Sequence, residues 1–176
     1  MVLAARPLWD LGGYRATLPL PVLGGVATAF AARALARRLG DGEGWAAFWL
    51  IGLASPVAVY SLDLWEHSLG LALMGWAAVV LLDVVERRPV WWRGLVAGAL
   101  FGLAAAMRTE AFVYGVVTVG VTCLVVAFGR RRSLLGAVGV GLASVAGLAL
   151  VFGANLALEA AVLGDQIRST RTGGAA

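Results

Sequence analysis

Six apolar runs, separated by short turns that carry most of the charge, constrain this chain more than any other feature. They span Leu18–Ala36, Trp45–Leu62, Ser68–Val85, Gly94–Met107, Ala111–Phe128 and Leu134–Leu158. The hydrocarbon core of a bilayer takes about 20 helical residues, with a range of roughly 17–25. Gly94–Met107 is short for that length unless residues 90–93 join the helix. Composition agrees with the runs: 61% of residues are hydrophobic, only 14% are charged, and the mean hydropathy is +0.88. A soluble domain of this size is about 45–50% apolar and needs polar surface that this chain lacks. The predicted fold is therefore an all-α, polytopic transmembrane helix bundle of about six transmembrane helices. Residues 1–16 are expected as an extracytoplasmic loop remnant, 17–163 as the helical bundle and 164–176 as an extracytoplasmic tail.

Arginine supplies all of the positive charge and sets the orientation. Arg33, Arg37 and Arg38 mark the end of the first run. Arg87, Arg88 and Arg93 lie between the third and fourth, and Arg130, Arg131 and Arg132 between the fifth and sixth. Those nine fall on one side, against five on the other: Arg6, Arg15, Arg108, Arg168 and Arg171. The positive-inside rule puts the three clusters in the cytoplasm and both termini outside. Trp91 and Trp92 beside Arg93 fit an aromatic belt at that interface. Clustering between apolar runs reads as topology rather than nucleic-acid binding. Met1–Pro7 carries one arginine and no apolar run of the signal-peptide kind. An external start without a preceding helix leads to the expectation that at least one helix lies upstream and that this chain is a fragment.

Gly94, Gly98 and Gly102 recur every four residues, the small-xxx-small spacing that lets helix backbones approach. Pro56 should kink the second run and free backbone carbonyls near its middle. Cys123 is the only cysteine and sits among apolar neighbours, so it reads as a small buried hydrophobe. One histidine and one cysteine leave no zinc site of the usual kind.

The central parts of the runs hold no Asp, Glu, Lys or His, which weighs against an ion-coupled transporter or channel. The candidate chemistry gathers at the non-cytoplasmic ends. In Ser61–Ser68, a helical conformation would put Asp63, Glu66 and His67 on one face. Two carboxylates and an imidazole at a membrane boundary suit general-base work or a divalent cation. The plainer reading is a polar turn at the water interface. No metal site is assigned. The next outer turn, Met107-Arg108-Thr109-Glu110, makes a tight hairpin. Arg108 suits a phosphate or carboxylate, or else an ion pair with Glu110, Asp63 or Glu66. Asp10, in Trp9-Asp10-Leu11-Gly12-Gly13, is compatible with a binding loop or with any turn.

Together these pieces resemble the early region of GT-C superfamily glycosyltransferases, polytopic enzymes that use polyprenyl-phosphate sugars outside the cytoplasm. The resemblance runs over most of the chain. It starts with Arg15-Ala-Thr-Leu-Pro-Leu, passes Arg37-Arg38-Leu39-Gly40 and Ser55-Pro56 to Trp65-Glu66, and continues from Gly94 to Arg108-Thr-Glu110. Asn155 with Gly164 looks like the stretch that precedes the large extracytoplasmic part. The resemblance implies hexosyl or pentosyl transfer from a lipid-linked sugar donor. Arg108 would grip the leaving phosphate, with Asp63, Glu66, His67 and Glu110 lining the pocket. The family's principal acid belongs to a first external loop, of which Asp10 would be a remnant and not the base, so this chain alone is expected to be inactive. The implied partners are membrane lipid and the lipid-linked donor, with no nucleic acid. No cofactor is certain, a divalent metal being compatible. The alternative is a non-enzymatic polytopic membrane protein, such as a transporter subunit or assembly partner.

Overall fold

The computed structural model describes residues 2–40, 42–62, 67–129 and 133–163, and the side chains of all of these except 2–7, 162 and 163. The described residues form helices and no strands. In chain order the helices are α1 (Val2–Thr17), α2 (Pro19–Arg38), α3 (Trp45–Leu53), α4 (Pro56–Tyr60), α5 (His67–Glu86), α6 (Trp91–Met107), α7 (Glu110–Phe128) and α8 (Leu134–Leu163). Four of them, α2, α5, α7 and α8, are long and apolar enough to cross a membrane, and α6 is a shorter apolar helix. The chain is thus a polytopic, all-helical membrane protein.

Each of the six apolar runs appears, with two corrections to the expected pattern. The second run is not one kinked span but two short helices, α3 and α4, separated at Ala54–Ser55. Pro56 lacks the N–H that would continue the helix, and Ser55 takes an extended conformation (φ −125°, ψ 166°). The Ser55 hydroxyl then serves both broken ends. It donates to the Ile51 carbonyl at 2.6 Å and accepts from the Val57 N–H at 3.2 Å. In a bilayer, where water cannot satisfy such groups, that double use makes the break tolerable. The second correction concerns residues 1–16, which are helical rather than a loop. Leu, Ala and Arg there favour a helix. The interruption falls at Gly12 and Gly13, the latter at φ 62°, a region that glycine enters without a Cβ clash.

From α2 onward, with α3 and α4 counted as one return, the helices run in alternate directions, and hydrogen bonds fix which ends meet. Thr28 donates to the Ser68 carbonyl (3.1 Å), Trp76 to the Ala27 carbonyl (3.1 Å) and Arg38 to the Val79 carbonyl (3.1 Å). Early α2 therefore meets early α5 and late meets late, so the two are parallel, with α3 and α4 as the return. Arg93, opening α6, donates to the Asp83 carbonyl near the end of α5 (3.1 Å), so α6 runs back. The described arginines Arg38, Arg87 and Arg93 all converge on Asp83 at this end.

The most extensive helix pairing is α6 with α8, and it is also parallel. Glycine makes it close. A Cβ at Gly94 would stand 2.5 Å from the Val140 carbonyl oxygen, and one at Gly102 would stand 2.9 Å from that of Leu148. One at Gly98 would collide with the Ser144 backbone. From the facing side, Gly147 abuts the Leu95 carbonyl. The every-fourth spacing thus serves backbone-to-backbone packing, as its sequence implied. Beside this seam lies the buried core: Leu81 and Val84 of α5, Phe101 of α6, Val126 of α7 and Val140 of α8. Outward, α7 and α8 present Val113, Val117, Leu124, Leu135 and Leu142, as a hydrocarbon solvent requires. The hydroxyls of Thr118, Thr122 and Ser144 each donate to the carbonyl four residues earlier, leaving no polar demand on lipid.

Candidate functional site

The end opposite the arginine cluster is built around the turn joining α6 to α7. Arg108 donates its N–H to the Ala104 carbonyl (2.8 Å), then leaves the helix with φ −140° and ψ 120°. Thr109 returns to helical angles and α7 starts at Glu110. The Ala111 N–H donates back to the Arg108 carbonyl at 3.0 Å, which closes the turn. So tight a connection holds Arg108 and Glu110 side by side, with Arg108 Nε 3.5 Å from Glu110 Oε2. Glu110 is 65% exposed, so solvent screens this ion pair and it contributes little stability. As an acid in the first turn of α7, Glu110 also suits the positive end of the helix dipole.

α5 brings the imidazole. His67 opens that helix and lies against the Tyr60 ring of α4, with ring centroids 4.7 Å apart and planes inclined by 36°. The Arg108 stem passes over Gly70, where an added Cβ would meet its Cδ at 3.9 Å. His67 lies one helical turn before Gly70 on the same helix. Three of the five expected site residues, His67, Arg108 and Glu110, therefore share one end of the bundle. Asp63 and Glu66 lie outside the described residues. So does the test of the three-residue face with His67. Among the described residues no three metal-ligating side chains gather. Asp10 is exposed on α1, just before the glycine interruption.

Below the Arg108–Glu110 pair, a groove of about 610 Å³ opens between α5, α6 and α7. Its walls are Leu71 and Met74 of α5, Phe101 of α6, and Tyr114 and Thr118 of α7. The Thr118 hydroxyl is already committed to the Tyr114 carbonyl at 2.7 Å, so below its mouth the groove is largely apolar, with the Tyr114 phenol as its other polar group. Chemically it offers one guanidinium and one carboxylate at the interface, an imidazole nearby, and a hydrocarbon wall beneath. Reading the sequence missed Tyr60, Tyr114 and Thr118. Glu110, Tyr114 and Thr118 recur every four residues on α7, a signal that a helical face would have exposed. Tyr60 carried no such signal, because its stacking on His67 crosses the α4–α5 connection.

Comparisons with protein families, with curated proteins and with solved structures yield no match to this chain. The fold and this end of it define a class only: an all-helical, multi-pass membrane protein with a charged mouth over an apolar groove.

Proposed function

We propose that the chain forms the membrane-embedded part of a glycosyltransferase that moves a sugar from a polyprenyl-phosphate donor to an extracytoplasmic acceptor. The observation that carries the reading is the position of Arg108 at the mouth of the groove between α5, α6 and α7. A phosphate joined to a long isoprenoid tail needs a fixed cation at the interface and an apolar track below it. Arg108, Leu71, Met74 and Phe101 supply those two parts. In the reaction, a base takes the proton of an acceptor hydroxyl, whose oxygen attacks the anomeric carbon. The bond from that carbon to the phosphate oxygen breaks, and polyprenyl phosphate leaves with its charge held by Arg108. His67 and Glu110 would line the pocket beside it, with Asp63 and Glu66 completing it. No residue of the chain is assigned as the base. The positive-inside rule supports an extracytoplasmic site, since Arg38, Arg87 and Arg93 stand together at the other end.

The 3.5 Å contact between Arg108 and Glu110 favours a second reading, in which the pair only fastens the hairpin of a non-enzymatic membrane protein. Binding separates the two. Purified chain should retain undecaprenyl phosphate in preference to undecaprenol by native mass spectrometry. Arg108→Ala should lower that retention about tenfold, as for loss of a charge-assisted phosphate contact. Equal retention of phosphate and alcohol, or of both by the variant, would leave only the hairpin role.

A further inference from the structure

A second amphipathic groove has its charged head at the opposite end of the bundle, and it is unrelated to the transferase reading. It runs along one face of α2, where Leu23, Val26, Phe30, Arg33 and Arg37 follow at helical i,i+3 and i,i+4 spacing, with Trp76 of α5 forming the far wall. The volume is about 590 Å³. From Leu23 to Arg37 the face extends about 21 Å at 1.5 Å per residue, comparable with a phospholipid acyl chain. Arg33 and Arg37 stand at one extremity, and apolar side chains line the remainder.

Arg33 is held in place, whereas Arg37 is exposed to its surroundings. Arg33 lies over the Trp45 ring, 3.8 Å from its centroid, and donates to the Glu43 carbonyl at 3.0 Å. The stems of both arginines pack on Gly44, where a Cβ would stand 3.0 Å from Arg37 Cγ and 3.2 Å from Arg33 Cγ. Gly44 sits at φ 68°, so glycine is needed there on two counts. The nearest described carboxylate, Glu43, is 3.5 Å from Arg33 and 74% exposed, which neutralises little. Arg37 makes no ion pair with any described residue. Its neighbour Arg38 is engaged with Asp83 and Glu86 instead.

We propose that this groove binds one anionic phospholipid of the surrounding leaflet, with the phosphate on Arg33 and Arg37 and an acyl chain along Leu23, Val26 and Phe30. Charge complementarity selects the lipid: a zwitterionic headgroup brings a second cation against two guanidiniums, whereas phosphatidylglycerol brings only the anion. The arginine end is also the end that the positive-inside rule assigns to the cytoplasmic leaflet, where anionic lipids concentrate.

The test is native mass spectrometry of the purified full chain, titrated with phosphatidylglycerol and phosphatidylcholine of equal acyl length. Wild type should prefer phosphatidylglycerol. Each arginine is expected to contribute about fivefold, as for a basic group at an anionic surface. The double variant Arg33→Gln/Arg37→Gln should lose the preference. Arg87→Gln/Arg88→Gln, which removes equal charge from exposed positions at the same end, should keep it. If both double variants lose it equally, the effect is bulk charge and the site is refuted. Val26→Trp fills the groove and leaves both arginines, so it should also lower retention. It carries the test if the double variant does not fold, and unchanged retention in it overturns the acyl-chain placement. Displacement of the lipid by free glycerol phosphate at equal concentration would show a phosphate site and not a lipid site.

Discussion

The Arg38 guanidinium at the end of α2 lies 2.9 Å from the Asp83 carboxylate near the end of α5. Both side chains are 24% exposed, so this contact is partly withdrawn from water. It ties together two parallel helices that the α3–α4 return separates in sequence. Arg87 approaches the same carboxylate at 3.6 Å, and Arg38 also reaches Glu86 at 3.7 Å.

Removing Arg38 should therefore destabilise the α2–α5 pair more than removing Arg87 does. Arg38→Gln is expected to cost about 1–2 kcal/mol, below the range for a fully buried pair because both groups keep some water. Arg87→Gln, whose side chain is 67% exposed, should cost under about 0.5 kcal/mol. Thermal unfolding in detergent would compare them. Equal losses would mean that the Arg38 contact adds nothing specific.

The α6–α8 seam makes a sharper prediction. Gly98→Leu puts a branched side chain where only the Ser144 backbone fits, so the helices must separate along their whole contact. The loss should reach about 1–3 kcal/mol, the range for overpacking, or prevent assembly. Gly139→Leu on α8, where a Cβ meets nothing within 4 Å, is the matched control and should be nearly neutral. A similar melting temperature for both variants would refute the close seam.

Ser55 gives a third case. Ser55→Ala removes the acceptor for the Val57 N–H and the donor to the Ile51 carbonyl together. The expected cost is about 1 kcal/mol, typical of a lost N-cap. Accelerated amide exchange at Val57 would mark the site of the loss, and unchanged exchange there would count against the cap.

Orientation is testable with impermeant maleimide on intact cells, in a Cys123→Ser background. Thr109→Cys and Glu43→Cys sit at exposed positions on opposite ends of the bundle. Thr109→Cys should label from outside, and Glu43→Cys only after permeabilisation. Labelling of both from one side would contradict the helix directions described above. The reverse pattern would move the Arg108 groove to the cytoplasm and remove the proposed function.

Hydropathy and charge carried the helical inventory a long way. The run boundaries at Trp45, Met107, Phe128 and Leu134 coincide with helix ends. The short fourth run is completed by Trp91–Arg93, as its length required. These features are legible because each depends on local chemistry: apolar length, a proline without its N–H, charges that cannot enter hydrocarbon. The helical state of Val2–Thr17 and the complete break at Ser55 were less so. The first lies outside any apolar run, and the second depends on a side chain that rescues both ends of the break.

What the sequence determined by itself was an all-helical membrane chain with three arginine clusters assigned to one side and Arg108 and Glu110 in a tight turn assigned to the other. Tertiary structure decided which faces meet. In lipid, a helix is apolar on its buried and its outward sides alike, so periodicity does not mark the neighbour. Only packing could assign Gly98 to Ser144, set Tyr60 on His67, bring α5 and α7 together into a groove beneath Arg108, and leave Arg33 and Arg37 at the head of another.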